Sequence, residues 1–222
     1  MSLKKIIPPV VIIVVGLALF SYCLTAETFA LGHDPNNIGR AFIVPSSPLY
    51  SLKVIKENIE RKFATTENSR LKRELEYSSR RIREVKGLID DKHEEYILST
   101  LERYRDHLKT LEGMSGDDKQ ARRDVIENVM HQPDLLMELY KQTHTKDGRR
   151  GIRSAIERVQ KYLWGIDEFK VSIDKQISIC EFLNDELVSD LLNDSEKVIL
   201  EEIVLECMEK MPETDIQKHA GQ

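Results

Sequence analysis

Two consecutive stretches of this chain carry the same helical seam. Leu71, Leu75, Ser78, Ile82 and Val85 follow at steps of 4, 3, 4 and 3, and Ile97, Leu101, Tyr104, Leu108 and Leu111 repeat that spacing. A helix brings such positions to one side, so each stretch has one face to bury against a neighbour. Only a short polar segment around Asp90 and Asp91 separates them. The spacing therefore predicts helices over about 67–88 and 92–112, paired as an antiparallel hairpin.

The segment ahead of the hairpin opens on Ser47-Pro48. A serine hydroxyl can accept a free N–H of the first helical turn, and proline at the first helical position loses no hydrogen bond. The helix expected over about 48–64 places Leu49, Leu52, Ile55, Ile59 and Phe63 on one face, read as the core side. Lys53, Lys56, Glu57, Glu60 and Arg61 fall to the wet side, with Tyr50 in the first turn at the helix edge. After Gly113–Gly116 a further helix shows an apolar face at Val125, Ile126, Val129 and Met130. Pro133 breaks or kinks it, and Leu135, Leu136, Leu139 and Tyr140 resume.

His144 to Gly151 reads as a polar, basic loop. From Ile152 the pattern runs through Ile156, Val159, Leu163 and Ile166 to Cys180, Leu187 and Leu191, with Gly165 marking a kink. Lys170 and Asn184 interrupt this seam, so a strict coiled coil is not supported. Asn193-Asp194-Ser195 is a turn with a capping serine before a last helix over about 196–211. The reading is all-α: an antiparallel bundle of about five to six helices, with units at 47–112 and 117–211 and a loose tail at 212–222. No strand pattern and no fixed-period repeat competes with it.

Residues 1–30 have the three parts of an export signal. Lys4 and Lys5 are basic, Val10 to Leu24 is uncharged and mostly apolar, and Thr28-Phe29-Ala30 offers a small-x-small cleavage site. The apolar run falls short of the about 20 residues a membrane helix needs, so cleaved signal and retained anchor both stand. Either way the basic end stays in the cytoplasm. Cys23 follows a tyrosine too bulky for a lipidation site. Gly32, Pro35, Asn36, Asn37 and Gly39 mark 31–46 as a linker. The net charge is −5, of which Lys4, Lys5 and Glu27 supply +1, leaving −6 beyond Ala30. A mildly acidic, sign-mixed chain is not a nucleic-acid binder.

Pro45, Ser47, Pro48, Leu49, Tyr50, Leu52, Lys53 and Glu57, followed by Leu71, Glu74, Leu75, Arg80, Arg81, Ile82 and Glu84, resemble domain-of-unknown-function family 5667. The resemblance covers about Ile43 to Leu111. It departs at Ser78 and Ser79, where the pattern has a small apolar residue, usually alanine. It implies an exported or membrane-tethered helical protein of prokaryotes, and it supplies no catalytic residue.

Cys180 and Cys207 lie equally far from a turn at 193–194, so an antiparallel hairpin would bring them level. A disulfide forms there if the Cα atoms come within about 7 Å, and two buried thiols remain the alternative. No C-x-x-C marks a redox centre. His33, His93, His107, His131, His144 and His219 lack metal-site spacing, although His131 and His144 flank Pro133. The runs at 70–74 and 80–84 read as solvated faces held by i,i+4 pairs such as Glu76 with Arg80. No nucleophile elbow, phosphate loop or dinucleotide glycine set is present. No cofactor or metal is expected. The expected role is a non-catalytic module outside the cytoplasm, binding a protein partner or scaffolding at the cell envelope. It meets the membrane through the N-terminal segment if that is uncleaved. The alternative is a ligand- or metal-binding sensor with a pocket near Trp164 and Pro133.

Overall fold

The computed structural model describes residues 38–114, 119–164, 173–190 and 192–210. The expected signal or anchor, residues 31–37 of the linker, Cys23, His33, Gly165, His219 and the tail lie outside these residues. Among the described residues eight α-helices follow one another: α1 Tyr50–Phe63, α2 Glu67–Asp90, α3 Ile97–Met114, α4 Lys119–Val129, α5 Gln132–Gln142, α6 Lys146–Trp164, α7 Ile173–Leu187 and α8 Asp194–Lys210. The described residues contain no strand, and the fold is all-α.

The hairpin of α2 and α3 is the centre of the bundle. Ser78, Ile82 and Val85 of its first seam are fully buried, as are Ile97, Tyr104, Leu108 and Leu111 of its second. Glu74 near the start of α2 meets His107 near the end of α3, so the two helices run antiparallel. A 3₁₀ turn, Glu94–Tyr96, enters α3. Ahead of it Lys92 takes φ 60°, a left-handed conformation that closes α2. α2 starts on a capping box in which Thr66 and Ser69 exchange hydrogen bonds.

Helix α6 packs along the other side of α3. Gly151 makes this possible, because a Cβ there would stand 3.2 Å from the Leu98 Cα. Leu98 faces Gly151, Arg105 hydrogen-bonds Ser154, and Arg158 pairs with Glu112, so α6 runs parallel to α3. The bundle is thus not antiparallel throughout. One apolar cluster extends from Ile38 to Val204 and takes residues from α2 through α8. The sequence leaves open whether 47–112 and 117–211 form one core or two, and this cluster draws on both.

Pro133 breaks the helical pattern as expected: it divides two helices and sits in the first turn of α5, where its missing N–H costs nothing. Three further expectations are corrected. The polar stretch 144–151 is mostly helix, since Gly148 and Gly151 are buried in α6. Asn193, not Ser195, caps α8: its Oδ1 accepts the Glu196 N–H at 2.9 Å, and the Glu196 carboxylate accepts the Asn193 N–H. Residues 38–44 are no free linker. Ile38, Ala41 and Val44 are buried, and the Ala41 N–H donates to the Arg83 carbonyl. This segment crosses α2 at Gly87, where a Cβ would lie 2.7 Å from Val44.

The carboxylate of Glu94 sits at the start of α6 and accepts the N–H groups of His144 and Thr145 at 3.0 and 2.8 Å. Burial alone would raise its pKa, but these hydrogen bonds hold it below the ordinary range. A negative charge there also complements the helix dipole. Arg153 ties α6 to α8 through Glu196 and pairs with Glu157 within α6. Burial raises the Glu157 pKa despite the Arg153 charge.

Candidate functional site

Helix α1 lies on the bundle with its polar side inward. Lys53 is 2% exposed and Glu57 8%, whereas Leu49, Leu52, Ile55 and Ile59 are 42–52% exposed and Phe63 is 79% exposed. The expected core face is the outer face. The reason is a second pair of stripes with helical spacing. Tyr50, Lys53, Glu57, Glu60 and Ala64 follow at 3, 4, 3 and 4 along α1, and Glu74, Tyr77, Arg81, Glu84 and Leu88 follow at the same steps along α2. These stripes meet, and their charges interlock.

The Lys53 ammonium pairs with Glu84 at 3.0 Å and donates to the Ile43 carbonyl at 3.0 Å. Arg81 reaches Glu57 at 2.5 Å and Glu84 at 3.0 Å. Arg80 pairs with Glu76 at 2.5 Å and with Glu57 at 3.4 Å. The Tyr50 hydroxyl accepts from Arg81 at 2.6 Å and from Arg103 of α3 at 2.5 Å, and donates to Glu84 at 3.2 Å. Arg103 also stacks over the Tyr50 ring, 5.2 Å from its centroid. Tyr77 donates to the Glu57 backbone carbonyl at 3.0 Å. Glu84 is wholly buried and Arg81 is 1% exposed. Charges this deep are tolerated only when paired and hydrogen-bonded, which these are.

Burial, with the Glu84 charge beside it, pushes the Tyr50 phenol well above its ordinary range, so the hydroxyl keeps the proton it donates. Burial would lower the Arg81 pKa, but Glu84 and Glu57 more than offset this. Glu74 at the edge of the cluster pairs with His107 at 2.7 Å and Arg61 at 2.9 Å. Burial opposes its ionisation, yet these partners hold its pKa below the ordinary range.

Beside this layer a cleft of about 350 Å³ opens, lined in part by Arg61, Arg81, Arg103, Glu74, Asp106 and His107. It does not include Pro133 or Trp164, where a pocket was expected. The runs at 70–74 and 80–84 are not simply solvated faces: the Arg80–Glu76 pair forms, but Arg80 is 2% exposed. His144 faces Glu94, and His93 faces Glu95. Among the described residues no group of three or more His, Cys, Asp or Glu is placed to hold a metal.

Of the motif residues, the Ser47 hydroxyl accepts the Leu49 N–H at 3.3 Å, and Pro45 and Pro48 lie in the turns that deliver α1. Cys180 of α7 and Cys207 of α8 form a disulfide with Cα atoms 5.9 Å apart. Both are buried. The bridge lies on α7 and α8, apart from the α1–α2–α3 cluster. Outside that cluster, α8 also leaves Val198, Ile199, Leu205 and Met208 at least half exposed.

The site is therefore an exposed apolar stripe on α1, held outward by a buried ionic layer. Residues 42–134 match the family described as a domain of unknown function (DUF5667). The match begins one residue earlier than the resemblance at 43–111 and extends past it into α5. It contains all of α1 and every residue of the ionic layer. No curated protein and no solved structure matches the chain.

Proposed function

We propose that this protein is a non-catalytic helical module outside the cytoplasm, held at the cell envelope by its N-terminal segment, with α1 as its contact element. The outward stripe Leu49, Leu52, Ile55, Ile59 and Phe63 carries this reading. Isolated exposed apolar side chains are ordinary, but a continuous stripe on one helix marks a contact site. The stripe is not a by-product of loose packing, because the opposite face is fixed by paired buried charges. The apolar run after Lys4 and Lys5 and the disulfide between Cys180 and Cys207 both fit an oxidising compartment.

The test is protease shaving of intact spheroplasts. The reading expects added protease to digest residues beyond the N-terminal segment without lysis. Digestion only after lysis would overturn it. A second reading, a ligand sensor, is supported by the charged cleft between α1 and α3. Native mass spectrometry separates the two: a copurified small molecule favours the sensor, and a bare chain favours the contact module.

A further inference from the structure

We infer that the outward face of α1 rests on the surface of a lipid bilayer that also holds the segment Val10–Leu24. This deepens the contact reading above and depends on it. Three observations converge.

The first is chain length. Thirteen residues separate Leu24 from Ile38, and a fully extended chain of that length reaches at most about 50 Å. A bilayer that held Val10–Leu24 would therefore be present near α1 at high effective concentration without any further affinity.

The second is charge. In 38–63, Arg40, Lys53, Lys56, Arg61 and Lys62 stand against Glu57 and Glu60, a net of +3 in a chain whose total is −5. Arg40 is paired with Asp91 and Arg61 with Glu74, so the net falls to +1 once those two carboxylates are counted, with Lys62 exposed at the end of the stripe. An apolar helix face edged by Lys and Arg suits the boundary of an anionic bilayer.

The third is area. A helix of 14 residues is about 21 Å long and about 10 Å wide. One such stripe offers on the order of 200–400 Å², against the roughly 800 Å² per partner of a standard protein interface. A second copy docked on this face alone would be held weakly. A bilayer needs no matching surface of its own.

The full chain, reconstituted into phosphatidylcholine vesicles with and without phosphatidylglycerol, would be labelled by a photoactivatable phosphatidylcholine and mapped by mass spectrometry. The expected result is label in two places, Val10–Leu24 and Leu49–Phe63, with the second stronger by several-fold when phosphatidylglycerol is present. Ile59→Lys should reduce the α1 label several-fold and leave the Val10–Leu24 label unchanged. Its side chain is half exposed, so the variant tests contact rather than folding. Label confined to Val10–Leu24 would overturn the lipid inference. If a photo-crosslinker at Ile55 then captured a second copy of the chain, α1 would still be a contact element, with a protein occupant. Absence of label from both segments would overturn the tethered reading as well.

Discussion

Arg81→Met is expected to lower stability by about 3–5 kcal/mol, the cost of removing one partner from a buried ion pair. Arg81 is 1% exposed and serves three acceptors, namely Glu57, Glu84 and the Tyr50 hydroxyl. Methionine fills much of the space but neutralises nothing. Glu84, fully buried, would keep only Lys53 and a Tyr50 hydroxyl that Arg103 still engages. Glu57 would keep Arg80 at 3.4 Å. A surface pair would cost about 0–1 kcal/mol to break, so the size of the effect separates a buried layer from a solvated one. Urea denaturation measures it: the midpoint should fall with little change in slope. A loss below about 1 kcal/mol would mean that water reaches Arg81 and that α1 is not held as described.

The second large effect is at the disulfide between α7 and α8. Replacing both Cys180 and Cys207 by alanine should cost about 3.5 kcal/mol, from the loop entropy that a bridge across 27 positions removes from the unfolded chain. The double replacement avoids leaving a lone thiol. Both side chains are buried and small, so alanine leaves little cavity. Alkylation of the denatured, unreduced full chain gives an independent reading. With three cysteines in the sequence, the bridge leaves only Cys23 to be labelled. Labelling of all three, or a stability change near zero, would remove the staple from the account.

The hairpin of α2 and α3 was legible because its seams are apolar, and apolar periodicity is the signal such a reading counts. The same rule misdirected α1. Leu49, Leu52, Ile55, Ile59 and Phe63 obey the spacing of a core face, yet the core face of that helix is Tyr50, Lys53 and Glu57. The signal was present in the complementary stripe of α2, where Glu74, Tyr77, Arg81 and Glu84 repeat the steps of Tyr50, Lys53, Glu57 and Glu60, and Arg81 and Glu84 carry the charges opposite to Glu57 and Lys53. It is hidden because charged residues are counted as solvated by default. Arg80 and Glu76 show how easily this misleads: they do form an i,i+4 pair, and the arginine is buried nonetheless. The level placement of Cys180 and Cys207 followed from symmetry about a turn. The parallel course of α6 along α3 did not, because it depends on Gly151 admitting Leu98, a contact between residues far apart in sequence.

The orientation of α1 is the centre of this account, and lysine acylation of the native chain, mapped by mass spectrometry, tests it most directly. Lys53 is buried, whereas Lys62 at the end of the same helix and Lys72 on α2 are exposed. The measurement is indifferent to what covers the apolar side, whether lipid, detergent or another chain. The account predicts rapid acylation of Lys62 and Lys72 and none of Lys53 until guanidinium unfolds the protein. Acylation of Lys53 as fast as Lys62 would show that α1 turns its charges to water, and would contradict the inverted helix and the contact surface built on it.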